Sequence, residues 1–185
     1  MNRIVTVLGG FGLGFIALAI LTGLPLLSSD IRDPADRAAQ RNLGVHRLSG
    51  VAAGMAVLLV NCVVVTYFIG TSRWCREVSE TYKLGEAFND RSTQLKRRTF
   101  PASLAAILTV IGIAALGAAA DPMTGTRPPG EGIDWGTLHL LGVVVGLAIM
   151  AFTLFVQMTN VRSNHAVIDD VLAQVHRIRS ERGLD

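Results

Sequence analysis

Charge is missing from four long stretches of this 185-residue chain: Ile4–Leu27, Leu48–Gly70, Phe100–Ala120 and Leu138–Met158 contain no Lys, Arg, Asp or Glu. Ion-coupled transporters and proton pumps show ionisable residues inside their spans, so this absence argues against that class. Cysteine is scarce as well. Cys62 and Cys75, the two present, have no CxxC spacing and imply neither a zinc site nor a disulfide framework. No GxSxG, HExxH or phosphate-binding glycine loop occurs, so nothing points to hydrolytic or group-transfer chemistry.

What is there is apolar. Half of the residues are hydrophobic, and each uncharged stretch has about the 20 residues that cross a hydrocarbon core of about 30 Å as a helix. The expected fold is therefore all-α: a four-transmembrane-helix up-down bundle forming a single integral membrane domain over 1–185. Too little chain remains for a separate soluble domain. The first stretch is longer than a signal-peptide core, and Ser28-Ser29-Asp30 lacks a small-x-small cleavage pattern, so it reads as a retained helix. The net charge of +3 belongs with basic residues bordering apolar spans, which mark membrane topology and not nucleic-acid binding.

Counting those residues orients the chain. The amino terminus, the segment 71–99 and the tail from Val161 hold twelve Lys and Arg, against five on the opposite side (Arg32, Arg37, Arg41, Arg47 and Arg127). The positive-inside rule puts both termini in the cytoplasm, in a bacterial inner membrane if the cell is a diderm. The lipid bilayer is the first partner, and Trp135 suits its interfacial aromatic belt.

Between the spans, Asp33-Pro34 reads as an N-cap and first helical position of a short helix leading into the second span. The segment 121–134, with its prolines and glycines, reads as irregular. Trp74, Val78 and Tyr82 recur every four residues and extend the second helix into the cytoplasm. Gly85 is the expected break, a new helix begins near Asn89–Arg91, and Pro101 either kinks it or starts it afresh. Cytoplasmic helices are thus expected over about 71–98 and 160–182. Lys96-Arg97-Arg98 would sit among lipid phosphates, where each basic residue is worth about 1 kcal/mol. In the tail, Ile168, Val171, Val175 and Ile178 have the 3-4 spacing of a coiled-coil seam, packed on the helix around Trp74–Phe88 or on a partner.

The chemistry rests on two histidines. His46 and His139 stand at the N-terminal ends of the second and fourth stretches, which an up-down order brings to one side of the membrane. On a helix, Gly50 and Gly54 lie within about 80° of His46, and Gly142 and Gly146 within about 60° of His139. Each helix thus carries an imidazole above a bare backbone groove. Two helices of a bundle can present neutral imidazoles to the opposite faces of a haem iron. Haem b is the cofactor this implies, with His46 and His139 as metal ligands, Arg41 and Arg47 pairing with its propionates, and Gly50 and Gly142 bordering the ring. Gly23 and Gly117 would leave room for the ring edge. The arrangement resembles the general layout of small membrane b-type cytochromes. That resemblance implies a non-catalytic electron-transfer subunit working with a quinol and a membrane or outer-side redox protein.

The same residues have a plainer reading. Gly50-x-x-x-Gly54, Gly142-x-x-x-Gly146 and Gly10-x-x-x-Gly14 are ordinary helix-packing motifs, and a haem would force packed helices apart. A cofactor-free structural or assembly subunit, in a homo- or hetero-oligomer, is the competing class. Asn61 and Gln157 are polar residues inside spans that would hydrogen-bond across helices, with a quinone contact as the alternative. His165, Asp169 and His176 lack the ligand number of a metal site and read as a solvated helix face.

Overall fold

A computed structural model describes residues 2–28, 31, 33, 35–127 and 132–184, apart from the side chains of 2–8 and 11. The protein is all-helical among these residues: α1 (Asn2–Gly23), α2 (Arg37–Tyr82), α3 (Ala87–Ala120) and α4 (Trp135–Glu181), with 3-10 turns at Leu24–Ser28 and Pro122–Thr124. Three helices, α2, α3 and α4, are long and apolar enough to cross a membrane. A shorter apolar helix runs over Gly12–Ser28 among the residues described.

Local chemistry explains the boundaries, and several differ from the sequence expectation. Helix α2 begins at Arg37, where the Asp36 carboxylate accepts from the Ala39 amide at 2.9 Å in an N-cap contact. Asp33 instead closes a tight turn by accepting from Ala35 N at 2.8 Å, and Pro34 lies outside the described residues. The break after α2 falls at Lys83, in the left-handed region at φ 55°, and not at Gly85. Leu84 N donates back to the Ser79 carbonyl at 2.9 Å, the six-residue closure of a helix C-terminus. Helix α3 then starts at Ala87 and runs unbroken through Pro101 to Ala120.

Contacts gather into two compact units, one of Arg3–Val60 and Ala106–Ala151, the other of Asn61–Ala105 and Phe152–Asp185. In the first, neighbouring helices meet through small residues: Gly12 against Ala56, Gly54 against Val110, and Gly146 against Ile113 and Thr109. Its buried apolar side chains, among the described residues, are Ala39, Leu43, Ala53, Val60 and Ala106. Small residues at these positions let the helix backbones approach closely, the packing mode found where apolar helices associate in lipid.

The second unit is built on a polar seam. Helix α4 buries Thr153, Gln157, Asn160, Asn164, Val167 and Val171 at alternating 4-3 spacing, with Val161 buried beside Asn160. That is the heptad spacing of a left-handed coiled coil, here with amides at its inward positions. Of the tail residues expected to form the seam, Val171 is fully buried, whereas Ile168, Val175 and Ile178 are half-buried.

Candidate functional site

His46 lies in the third turn of α2 and turns its ring onto α1. Its Nδ1 is 2.8 Å from the Ala19 carbonyl. A carbonyl can only accept, so Nδ1 carries the hydrogen and donates it, which leaves Nε2 as the nitrogen that can bind a metal. The ring reaches this carbonyl because Gly23, one turn further along α1, has no side chain. A Cβ there would stand 2.9 Å from His46 Cε1 and 3.0 Å from Nδ1.

His139 repeats the arrangement on the other pair of helices. Asp134 fixes the start of α4, accepting from Thr137 N at 2.9 Å and from Thr137 Oγ1 at 2.7 Å. These bonds, the hydroxyl's first, hold the Asp134 carboxyl below its usual range. His139 follows in the second turn, against α3. A Cβ on Gly117 would lie 3.0 Å from His139 Cε1 and 3.3 Å from Nδ1. Nδ1 of His139 is buried without a well-formed hydrogen bond, and the backbone of Ile113, one turn before Gly117, lies beside the ring.

The two rings meet. Their centroids are 6.1 Å apart, with planes at 83°. Two metal–imidazole bonds of about 2 Å, plus about 1.1 Å from each nitrogen to its ring centre, separate the rings of a linear bis-imidazole complex by about 6 Å. Two aromatic rings in direct edge-to-face contact span a similar distance. No group of three or more His, Cys, Asp or Glu gathers as a metal site among the described residues. A haem needs no such group, because its porphyrin supplies the four equatorial donors and the protein only the axial ones.

The remaining candidates are scattered in role. Arg47 is engaged by protein, its Nη2 donating to Asp121 Oδ1 at 2.6 Å and its Nη1 lying 3.9 Å from Met123 Sδ, while its buried Nε has no partner. Arg41 is exposed, with no ion pair among the described residues. Gly50 is open, with nothing within 4 Å of a Cβ placed there, whereas the groove at Gly142 is filled by Leu116 Cδ1 at 2.6 Å. Gly23 and Gly117, expected from the sequence to border a cofactor edge, lie against the histidine rings themselves.

A second polar cluster lies in the other unit, and of its members the sequence pattern marks only Asn61 and Gln157. Gln157 Nε2 donates to Asn61 Oδ1 at 2.8 Å and lies 3.4 Å from Ser103 Oγ, so both span amides face each other across helices. Beyond them, Asn160 Nδ2 donates to Thr99 Oγ1 at 2.9 Å. Asn164 Nδ2 donates to Tyr67 OH at 3.1 Å and Thr71 Oγ1 at 2.9 Å, and its Oδ1 accepts from Ser92 Oγ at 3.1 Å. The missed signal was the 4-3 spacing of amides in α4, invisible to a search for apolar periodicity. Asp169 and His176 are exposed, but His165 is half-buried, its ring centroid 6.3 Å from that of Tyr67.

All-helical architecture, long apolar helices and paired imidazoles define an α-helical membrane-type protein. Compared with protein-family models, curated proteins and solved structures, the chain finds no match in any of the three.

Proposed function

We propose that this protein is a membrane-embedded b-type haem protein that passes electrons, alone or as a subunit of a membrane redox complex. The observation that carries this reading is the 6.1 Å approach of the His46 and His139 rings, with His46 held through Nδ1 so that Nε2 is free to bind a metal. Haem b supplies a one-electron iron couple, and two imidazoles are the axial set of an electron carrier.

The membrane arrangement belongs to the same proposal. Four helices cross in up-down order, the first being α1 with the turn that follows it. The basic residues put both termini in the cytoplasm of a bacterial inner-membrane protein and the histidines at the outer face. A single haem there cannot bridge a core of about 30 Å, so it would relay electrons between a membrane quinol and an outer-side or membrane redox partner.

A second reading, a cofactor-free structural or assembly subunit, is favoured by different contacts. Arg47 is already neutralised by Asp121, and the Gly142 groove is filled by Leu116. A visible spectrum of the detergent-purified protein, expressed with ample haem supply, separates the two. Dithionite is expected to bring up the sharp α-band of a b haem. Its absence, or full haem retention in both His46→Ala and His139→Ala, overturns the haem reading.

A further inference from the structure

The two imidazoles share one feature: each ring rests on a glycine of the preceding helix. In each case a glycine stands one helical turn after a backbone carbonyl on the preceding helix: Ala19 with Gly23 on α1, Ile113 with Gly117 on α3. In each case the histidine ring lies against the glycine; Nδ1 of His46 reaches the Ala19 carbonyl at 2.8 Å, whereas Nδ1 of His139 makes no well-formed hydrogen bond. The nearest ring atoms are 2.9 and 3.0 Å from a Cβ built at Gly23, and 3.0 and 3.3 Å from one built at Gly117. Ordinary contacts to a real Cβ are longer, so a methyl group at either position has to push the ring away. Gly136, Gly142 and Gly146 are tighter still, but against Asp134, Leu116 and Ile113 and not against a histidine, while Gly14 and Gly112 have open space where a Cβ would go.

We propose that Gly23 and Gly117 are positioning residues: with the carbonyls one turn before them they form two matched seats that turn Nε2 of both histidines towards one metal, leaving it no open coordination position. This rests on the haem reading. It deepens that reading by assigning what the site refuses: exogenous diatomic ligands.

The physical argument is one of geometry and bond strength. An imidazole pinned at Nδ1 has one remaining donor, Nε2, and its direction is set by where the ring plane lies. A ring lifted off its seat loses the carbonyl and swings Nε2 off line. Outer-shell partners of this kind typically change metal affinity about 10- to 100-fold. A reduced haem held by only one of the two imidazoles would be open to carbon monoxide, whereas one held by both His46 and His139 would not.

The experiment compares wild type, Gly23→Ala, Gly117→Ala, Gly14→Ala and Gly112→Ala as detergent-purified full-length proteins titrated with hemin. Electron paramagnetic resonance spectra of the ferric form and carbon monoxide difference spectra after dithionite reduction are recorded for each, together with helix content and thermal unfolding before hemin is added. Wild type, Gly14→Ala and Gly112→Ala are expected to be low-spin and inert to carbon monoxide. Gly23→Ala is expected to bind hemin at least about 10-fold more weakly, to show a high-spin signal, and to recover the low-spin spectrum when free imidazole is added. Gly117→Ala, the milder intrusion, should show the same changes to a smaller degree and keeps the test open should Gly23→Ala not fold. A wild type that takes up no hemin overturns both the seats and the haem reading. A wild type that loads beside seat variants equally tight, low-spin and inert overturns the seats alone, as does an equal loss in Gly14→Ala or Gly112→Ala.

Discussion

Arg47 donates through Nη2 to the Asp121 carboxylate at 2.6 Å, tying the third turn of α2 to the residue that follows α3. Asp121 does two things at once, because its Oδ1 also accepts from Met123 N at 2.9 Å and caps the turn Pro122–Thr124. The Arg47 side chain is 38% exposed and that of Asp121 19%, so water and salt screen the pair. A double-mutant cycle of Arg47→Gln and Asp121→Asn should give a coupling of about 0.2–1 kcal/mol at low ionic strength, shrinking in high salt. Asparagine keeps the capping oxygen, which isolates the charge. Zero coupling at low salt would show the contact to be incidental.

Asn164 is fully buried and serves three hydroxyl partners on two helices. Replacing it by alanine removes a partner from the buried Ser92 hydroxyl and from the half-buried hydroxyls of Thr71 and Tyr67. The expected cost is about 1–3 kcal/mol, read as a lowered denaturant midpoint in detergent. Gln157→Leu touches fewer groups, and cross-helix bonds within spans average only about 0.6 kcal/mol, so it should be the milder change. The reverse order would mean that the seam is held elsewhere.

Asp134 gives the chain a pH-dependent helix start. Its pKa is depressed by the Thr137 hydroxyl and amide, so the contribution of this cap is fully present above the ordinary aspartate value of about 4. It is lost as pH falls through the lower, folded-state value. Thermal unfolding should therefore show a loss of stability below about pH 4 that Asp134→Asn does not share, since an amide oxygen caps at every pH. Identical acid profiles for the two proteins would remove Asp134 from the account.

Cys75 is buried and Cys62 exposed. In native protein a membrane-permeant maleimide should label Cys62 and spare Cys75, with Cys75 reacting only once the chain is unfolded. The Cys62→Ser variant should thus remain unlabelled until denaturant is added. Prompt labelling of that variant would mean that the second unit opens locally on the experimental timescale.

The apolar helices were legible because lipid imposes a crude requirement: about 20 residues without charge. Helix ends were less so. Asp33 and Asp36 are both good caps by type, and only the closing contacts choose between them. Gly85 has the freer backbone, yet the left-handed residue is Lys83, because the Leu84–Ser79 closure fixes where α2 stops. At the site, an alternating helix order suffices to suggest that His46 and His139 approach one another. It says nothing of which neighbour each ring leans on, since that depends on helix rotation to within a few tens of degrees. The roles of Gly23 and Gly117, and the engagement of Arg47 by Asp121, are contacts between residues far apart in sequence and had no local signature.

The amides and valines buried along α4 have one more consequence, which concerns chain length. A single added residue between Gln157 and Asn164 would rotate everything beyond it by about 100°, swinging Asn164, Val167 and Val171 out to the exterior together. Seven added residues would come back almost into phase. Helix α4 can therefore absorb many point changes on its outer surface, while insertions and deletions are restricted to whole pairs of turns.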